Sequence, residues 1–148
     1  MRTQRFGDRY IARVESGERV IETLIDLLRR EGIGFASLTA AGAIRWARLG
    51  FWEAERRSYS HREFVEQLEV VSFLGNAAIR GDDPFLHVHV ALGRGDFSVV
   101  GGHLAEAIVH PTLEVWIRSE PGEVRRVKDP ESGLDLLDLA ADHDATAR

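Results

Sequence analysis

The residues in this sequence best suited to chemistry are histidines. The 148-residue chain holds six, and three fall near one another: His87-Val88-His89, then His103 directly after Gly101-Gly102. Residues two apart in a strand share a face, about 7 Å between α-carbons, so two imidazoles can converge on one ion. A site of zinc, iron or manganese type needs three or four such ligands, each neutral and oriented by further contacts. His103 is the obvious third donor, which makes His87, His89 and His103 the candidate metal ligands. Imidazole suits zinc, iron, nickel and copper alike; a divalent transition metal is expected, zinc first and iron second. Glu69 and Glu114, each in a strand pattern, could add a carboxylate ligand or act as a general base. The competing reading is that histidines on a sheet face are hydrogen-bonded packing residues or part of a proton-linked interface. His61, His110 and His143 stand alone in the sequence and read as structural or solvent-facing.

Whether His103 reaches the other two depends on strand register. Phe85 to Leu92 and Phe97 to Leu104 read as strands joined through Gly93-Arg94-Gly95-Asp96. With an even loop, Leu92 opposes Phe97 and His103 pairs with Leu86, on the wrong face. With a three-residue loop, Arg94-Gly95-Asp96, Gly93 opposes Phe97 and His103 lies across from His87. Gly95 can take the left-handed position such loops use. A bulge at Gly101-Gly102 has the same effect. Both registers stay open from sequence alone.

The surrounding elements follow from periodicity. Tyr10 to Val14 alternates as a first strand. Val20, Ile21, Leu24, Leu27 and Leu28 recur at threes and fours, after a Ser16-Gly17 that can cap and before a Gly32 suited to a left-handed C-cap. This is the clearest helix, with Glu18, Glu22, Asp26 and Arg29 on its outer side. Strand patterns follow at Phe35 to Ala41, Ile44 to Trp52, Leu68 to Leu74 and Asn76 to Arg80. The turn cluster Gly81-Asp82-Asp83-Pro84 leads to the two histidine strands, and Thr112 to Arg118 follows Pro111. The pattern predicts an α+β domain, a mostly antiparallel sheet packed with one main helix. Residues 1–120 read as a single domain and 121–148 as a polar tail. Leu134, Leu136, Leu137 and Leu139 predict a short amphipathic helix within that tail, and residues past Asp142 are expected to fray.

Composition narrows the function classes. With 44% hydrophobic and 29% charged residues the chain has the mix of a globular protein. Without cysteine, thiol chemistry, disulfides and thiolate metal sites are excluded. No segment is apolar enough to span a bilayer, and Met1 to Asp8 lacks the apolar core of a secretory signal; a cytoplasmic protein without membrane partners is expected. Nineteen basic against 24 acidic residues give a net charge of −5, a poor basis for gripping phosphates. Arg29-Arg30, Arg56-Arg57 and Arg125-Arg126-Val127-Lys128 read as solvated surface. Walker, Gly-x-Gly-x-x-Gly and Gly-x-Ser-x-Gly patterns are absent. Arg94-Gly95-Asp96 is explained as a hairpin tip. Trp46, Trp52 and Trp116 lie in strand patterns, where burial or a subunit interface is usual.

In order along the chain come Leu68-Glu69-Val70-Val71-Ser72-Phe73-Leu74-Gly75-Asn76, Pro84-Phe85-Leu86-His87-Val88-His89, Val100-Gly101-Gly102-His103-Leu104 and Thr112-Leu113-Glu114-Val115. This ordered set resembles the PPC (plants and prokaryotes conserved) domain, over about residues 5 to 120. The Gly17-to-Leu28 helix and the Ala41-Gly42-Ala43-Ile44 turn agree with it. The resemblance implies an α+β fold, a homotrimer and a DNA-associated role. In plants an AT-hook, Arg-Gly-Arg-Pro, precedes this domain and enters the minor groove; this sequence has no such element, so the DNA role rests on resemblance alone. Single-domain prokaryotic members are most similar, and their three histidines map onto His87, His89 and His103.

Three functions are therefore expected to compete. One is a regulatory, DNA-associated homotrimer. The second is a metal-dependent enzyme or small-ligand binder using the three histidines with an open coordination position. The third is an assembly scaffold whose histidines are structural. No catalytic residue is named from sequence.

Overall fold

The computed structural model describes residues 1–139. In chain order it contains strands β1 (Arg2–Phe6) and β2 (Arg9–Glu15), helix α1 (Val20–Glu31), and strands β3 (Ala36–Glu53), β4 (Ser58–Phe64), β5 (Leu68–Arg80), β6 (Asp83–Gly93), β7 (Val99–Ser119), β8 (Arg125–Lys128) and β9 (Asp135–Asp138). All strands belong to one sheet, antiparallel throughout except where β8 meets β5. The expected α+β architecture is present.

Three long strands organise the sheet. The patterns at 35–41 and 44–52 merge into the single strand β3, and those at 97–104 and 112–118 merge into β7, with register shifts absorbing the irregularities between them. Because β3 pairs with β5 and β7, while β6 pairs with β5 and β7, these four strands close on one another in a ring. Alternation then sorts the side chains. On β6, Leu86, Val88, Val90 and Leu92 point inward and are buried, so His87 and His89 must point outward.

Helix α1 covers the core with Val20, Leu24, Leu27 and Leu28, all fully buried. Its C-terminus is as expected. Gly32 adopts φ 64°, and the Ile33 N–H donates to the Leu28 carbonyl at 2.9 Å, closing the last turn with a left-handed residue. Its N-terminus departs from expectation. Ser16-Gly17 does not cap it. Arg19 is the N-cap and makes no side-chain capping bond. Instead the buried Glu106 carboxylate on β7 accepts from the Ile21 N–H at 2.9 Å, and the Arg19 guanidinium lies 3.5 Å away. A carboxylate at the positive end of a helix is stabilising, so a distant strand supplies the cap.

The C-terminal segment corrects another expectation. The leucines from Leu134 to Leu137 do not form a helix; Asp135–Asp138 is β9, antiparallel to β8, with Val127 opposite Leu136 and Arg126 opposite Leu137. The turn between them is built by Asp129, whose carboxylate accepts from the Ser132 N–H at 2.7 Å and from its hydroxyl at 2.6 Å. A leucine run of this length is too short to stand as an isolated helix, whereas pairing with β8 gives its backbone partners. The fraying expected past Asp142 lies outside the described residues, as does His143.

Candidate metal centre

The β6–β7 connection decides the site. Gly93 pairs with Val99, so the loop is five residues, Arg94 to Ser98, neither even nor three. Odd parity keeps His103 on the face of His87 and His89, as the three-residue register predicted. The longer loop moves it one pair along, so His103 lies directly across from His89 and not from His87. Asp96 shapes the loop by accepting from the Ser98 N–H and hydroxyl, and Arg94 pairs with Glu66 at 3.0 Å. No bulge interrupts β6–β7 at the glycines. Gly101 and Gly102 serve another purpose: a Cβ at Gly101 would sit 2.7 Å from the Val90 carbonyl oxygen, and one at Gly102 would sit 2.8 Å from that of Gly50. Only glycine lets neighbouring backbones approach β7 this closely just before His103.

The three imidazoles converge. His87 Nε2 and His89 Nε2 are 3.2 Å apart, ring centroids are 5.0 to 5.6 Å apart, and one nitrogen from each ring falls within 4.8 Å of the others. Two nitrogens on a tetrahedral zinc at the usual bond length stand about 3.3 Å apart, close to the His87–His89 separation. The buried Nδ1 of His103 has no hydrogen-bond partner, an unsatisfied polar atom within the cluster itself. Burial holds the His87 pKa below its ordinary value, helped by the nearby charges of Arg126 and His89. Burial, with His87, His89, His61 and Arg126 adding to it, pushes His103 down to about 4. Neutral imidazoles are the form that binds metals, so the donor set fits a divalent transition ion.

Glu69 and Glu114 do not join the cluster. Glu69 pairs with Gly93, four residues along β6 from His89 and so about 13 Å away; Glu114 lies at the far end of β7, opposite Arg13. Among the described residues the histidines are the only grouping of metal-binding type. What surrounds them came from stretches that looked unremarkable in sequence. Tyr59 on β4 packs on His103 with centroids 5.1 Å apart, and His61 follows at 6.0 Å from Tyr59. Gly50 on β3 separates the two strands and pairs with both His61 and His103; lacking a side chain, it lets the Tyr59 and His61 rings lean toward the site.

Arg126 is the larger omission. Read as solvated surface, it is only 9% exposed. It reaches under β5, where Nη2 donates to Asn76 Oδ1 and Nη1 to the Asp135 carbonyl, both at 2.7 Å. The only signal for this is strand alternation, which sends Arg126 to the opposite face from Arg125 and Val127 once Arg125–Lys128 is known to be a strand. Hairpin and sheet together enclose a cavity of about 130 Å³ lined by Tyr59, Phe85, His87, His103 and Arg126 among others.

Residues 1–121 match the model of the Plants and Prokaryotes Conserved (PCC) domain. The chain belongs to this family. Several solved structures are similar to this PCC-domain chain over nearly its full length. A metal-containing protein from Archaeoglobus fulgidus is 35% identical, with 88% of this chain and 93% of that one covered at a TM-score of 0.84. A candidate DNA-binding protein from Bacteroides thetaiotaomicron is 27% identical, covering 93% and 96% at 0.89. A plant- and prokaryote-conserved protein from Pyrococcus horikoshii is 28% identical, covering 93% of each at 0.82. No curated protein matches. Among the described residues of the PCC-domain chain, no helix is long and apolar enough to cross a membrane.

Proposed function

We propose that this PCC-domain protein holds a divalent transition metal, zinc in the first place, on His87, His89 and His103, and uses it to bind or transform a small molecule. The convergence of three ring nitrogens within 4.8 Å carries this reading, and the similarity to a metal-containing archaeal protein supports it. Three protein ligands leave a coordination position open, where a bound ion supplies Lewis acidity and lowers the pKa of water toward about 7. The chain's own residues do the rest. Low pKa values keep His87 and His103 neutral, Tyr59 limits solvent on one side, and the cavity beside the imidazoles admits a ligand. Calorimetric titration with zinc tests the reading. It expects one site per chain, absent in His87→Ala and in His103→Ala; wild type that takes up no zinc or iron would remove it.

A homotrimer is part of the proposal. Ile11, Trp116 and Leu74 lie in one outward row across β2, β7, β3 and β5, at 39%, 44% and 60% exposure. Phe6, Ile11, Thr39 and Trp116 also line a groove of about 590 Å³. Sedimentation equilibrium should return the mass of three 16.6 kDa chains, and Trp116→Asp should lower it; a monomeric wild type contradicts the trimer.

The second reading, DNA association, is favoured by the description of the Bacteroides and Ralstonia eutropha structures as candidate DNA-binding proteins. The surface gives it less support, since exposed arginines are interleaved with acids: Arg2 and Arg13 with Glu15, Arg29 with Asp26 and Asp83, Arg118 with Glu120. Affinity for duplex DNA that falls steeply with salt would restore it.

A further inference from the structure

We propose that the cavity between the sheet and the β8–β9 hairpin is a carboxylate site, in which Arg126 receives the carboxylate of a small organic acid whose other end faces His87 and His103. The inference deepens the metal reading and rests on it only for the second half of the ligand. Arg126 is nine-tenths buried, yet both of its hydrogen-bond acceptors, an amide and a carbonyl oxygen, are neutral. Its Nε is buried and has no partner at all. A guanidinium has five N–H donors in a planar fork that matches a carboxylate, and two are used. An incompletely satisfied buried cation is costly, and an anionic ligand is what would complete it.

The charges around the cavity point the same way. Arg80 also lines it, and the one carboxylate there, Asp135, is engaged by Arg80 at 3.4 Å. Phe85 lies beneath both guanidinium groups, 3.9 Å from that of Arg80 and 5.5 Å from that of Arg126. Two arginines, Arg80 and Arg126, line the cavity against one acid, Asp135. Size and walls set the class of ligand. A cavity of about 150 Å³ accepts a benzene ring, so about 130 Å³ suits a molecule of about six heavy atoms, too small for a nucleotide. Phe85, Leu134 and Leu136 make part of the wall apolar, which favours a short-chain oxo- or hydroxy-acid over inorganic phosphate.

Pyruvate and its neutral amide, pyruvamide, serve as probes of the full chain, with and without zinc. Zinc-loaded wild type should bind pyruvate about tenfold or more tightly than pyruvamide. Arg126→Gln should lose that preference while still binding zinc, and Arg126→Lys should keep part of it. In wild type, with no variant required, the Arg126 Nε–H resonance should shift on adding pyruvate and not pyruvamide. Equal affinities for the two probes, or an Nε–H resonance unmoved at saturating pyruvate, would overturn the proposal. If no zinc binds but the resonance still responds to pyruvate, the carboxylate site stands and the metal reading falls. If zinc binds and the resonance is silent, the reverse holds.

Discussion

The two walls of the cavity are built on opposite principles. The β6–β7 wall supplies His87 and His103, which with His89 come from seventeen consecutive residues, positioned by one uninterrupted register and backed by buried Leu86, Val88, Val90 and Leu104. The β8–β9 wall supplies a guanidinium from two four-residue strands joined to the sheet by a single parallel pairing, Arg125 with Ile79, the Ile79 N–H to Val124 carbonyl bond at 2.8 Å, and side-chain bonds from Arg126 to Asn76, Arg125 to the Gly81 carbonyl and Arg80 to Asp135. One wall has two of its imidazoles, His87 and His103, lowered in pKa by burial; the other buries a charge and leaves part of it unsatisfied.

The contrast can be broken most severely at Gly101. A valine there meets the Val90 carbonyl oxygen, so the β6–β7 register must shift. Gly101→Val should cost about 3 kcal/mol in urea unfolding and abolish zinc binding together with it. Unfolding at wild-type urea concentration with zinc retained would mean that the register is not what holds the imidazoles. A smaller effect is expected on the other wall. Asn76→Ala removes the Nη2 acceptor of Arg126 and should weaken the hairpin by about 1 kcal/mol. The change should be read as faster amide exchange confined to β8 and β9, with global unfolding and zinc affinity unchanged. Even in wild type, β8–β9 amides should exchange about tenfold or more faster than those of β6; equal protection would remove the difference between the walls.

The smallest effect is a pH dependence belonging to the imidazole wall. Folded metal-free protein holds His103 at about 4 against an ordinary value of 6.5, and His87 is lowered as well. Between those values the unfolded chain binds the extra proton, so the stabilisation is complete above about pH 6.5 and is lost as pH falls toward 4. Urea midpoints in chelator should decline across that window, and His103→Gln should flatten the decline. A midpoint that rises on acidification would contradict it.

The same division explains what sequence could reveal. His87 and His89 were readable because alternation puts them on one face; whether His103 shares that face depended on loop parity, which the structure settles with an odd loop of five residues. Helix α1 was readable from its apolar spacing and Gly32, but its N-terminal cap was not, because Glu106 lies 85 residues from Ile21. β1 and β4 escaped because nearly every residue in them is exposed, leaving no alternation to see. Arg126 escaped for a related reason. A charged run signals surface unless the element that carries it is known, and a four-residue strand is too short to announce itself. A contact across the fold to Asn76 and one across its own hairpin to Asp135 turned a surface motif into a cavity wall.

The central claim is that the three histidines hold a metal, and elemental mass spectrometry of untagged, unreconstituted protein tests it most directly. Wild type and His61→Ala should carry close to one transition metal per chain, and His87→Ala, His89→Ala and His103→Ala should carry none. Wild type at background levels, unchanged after loading with zinc and iron, would contradict the claim and leave the histidines as a packing feature of the sheet.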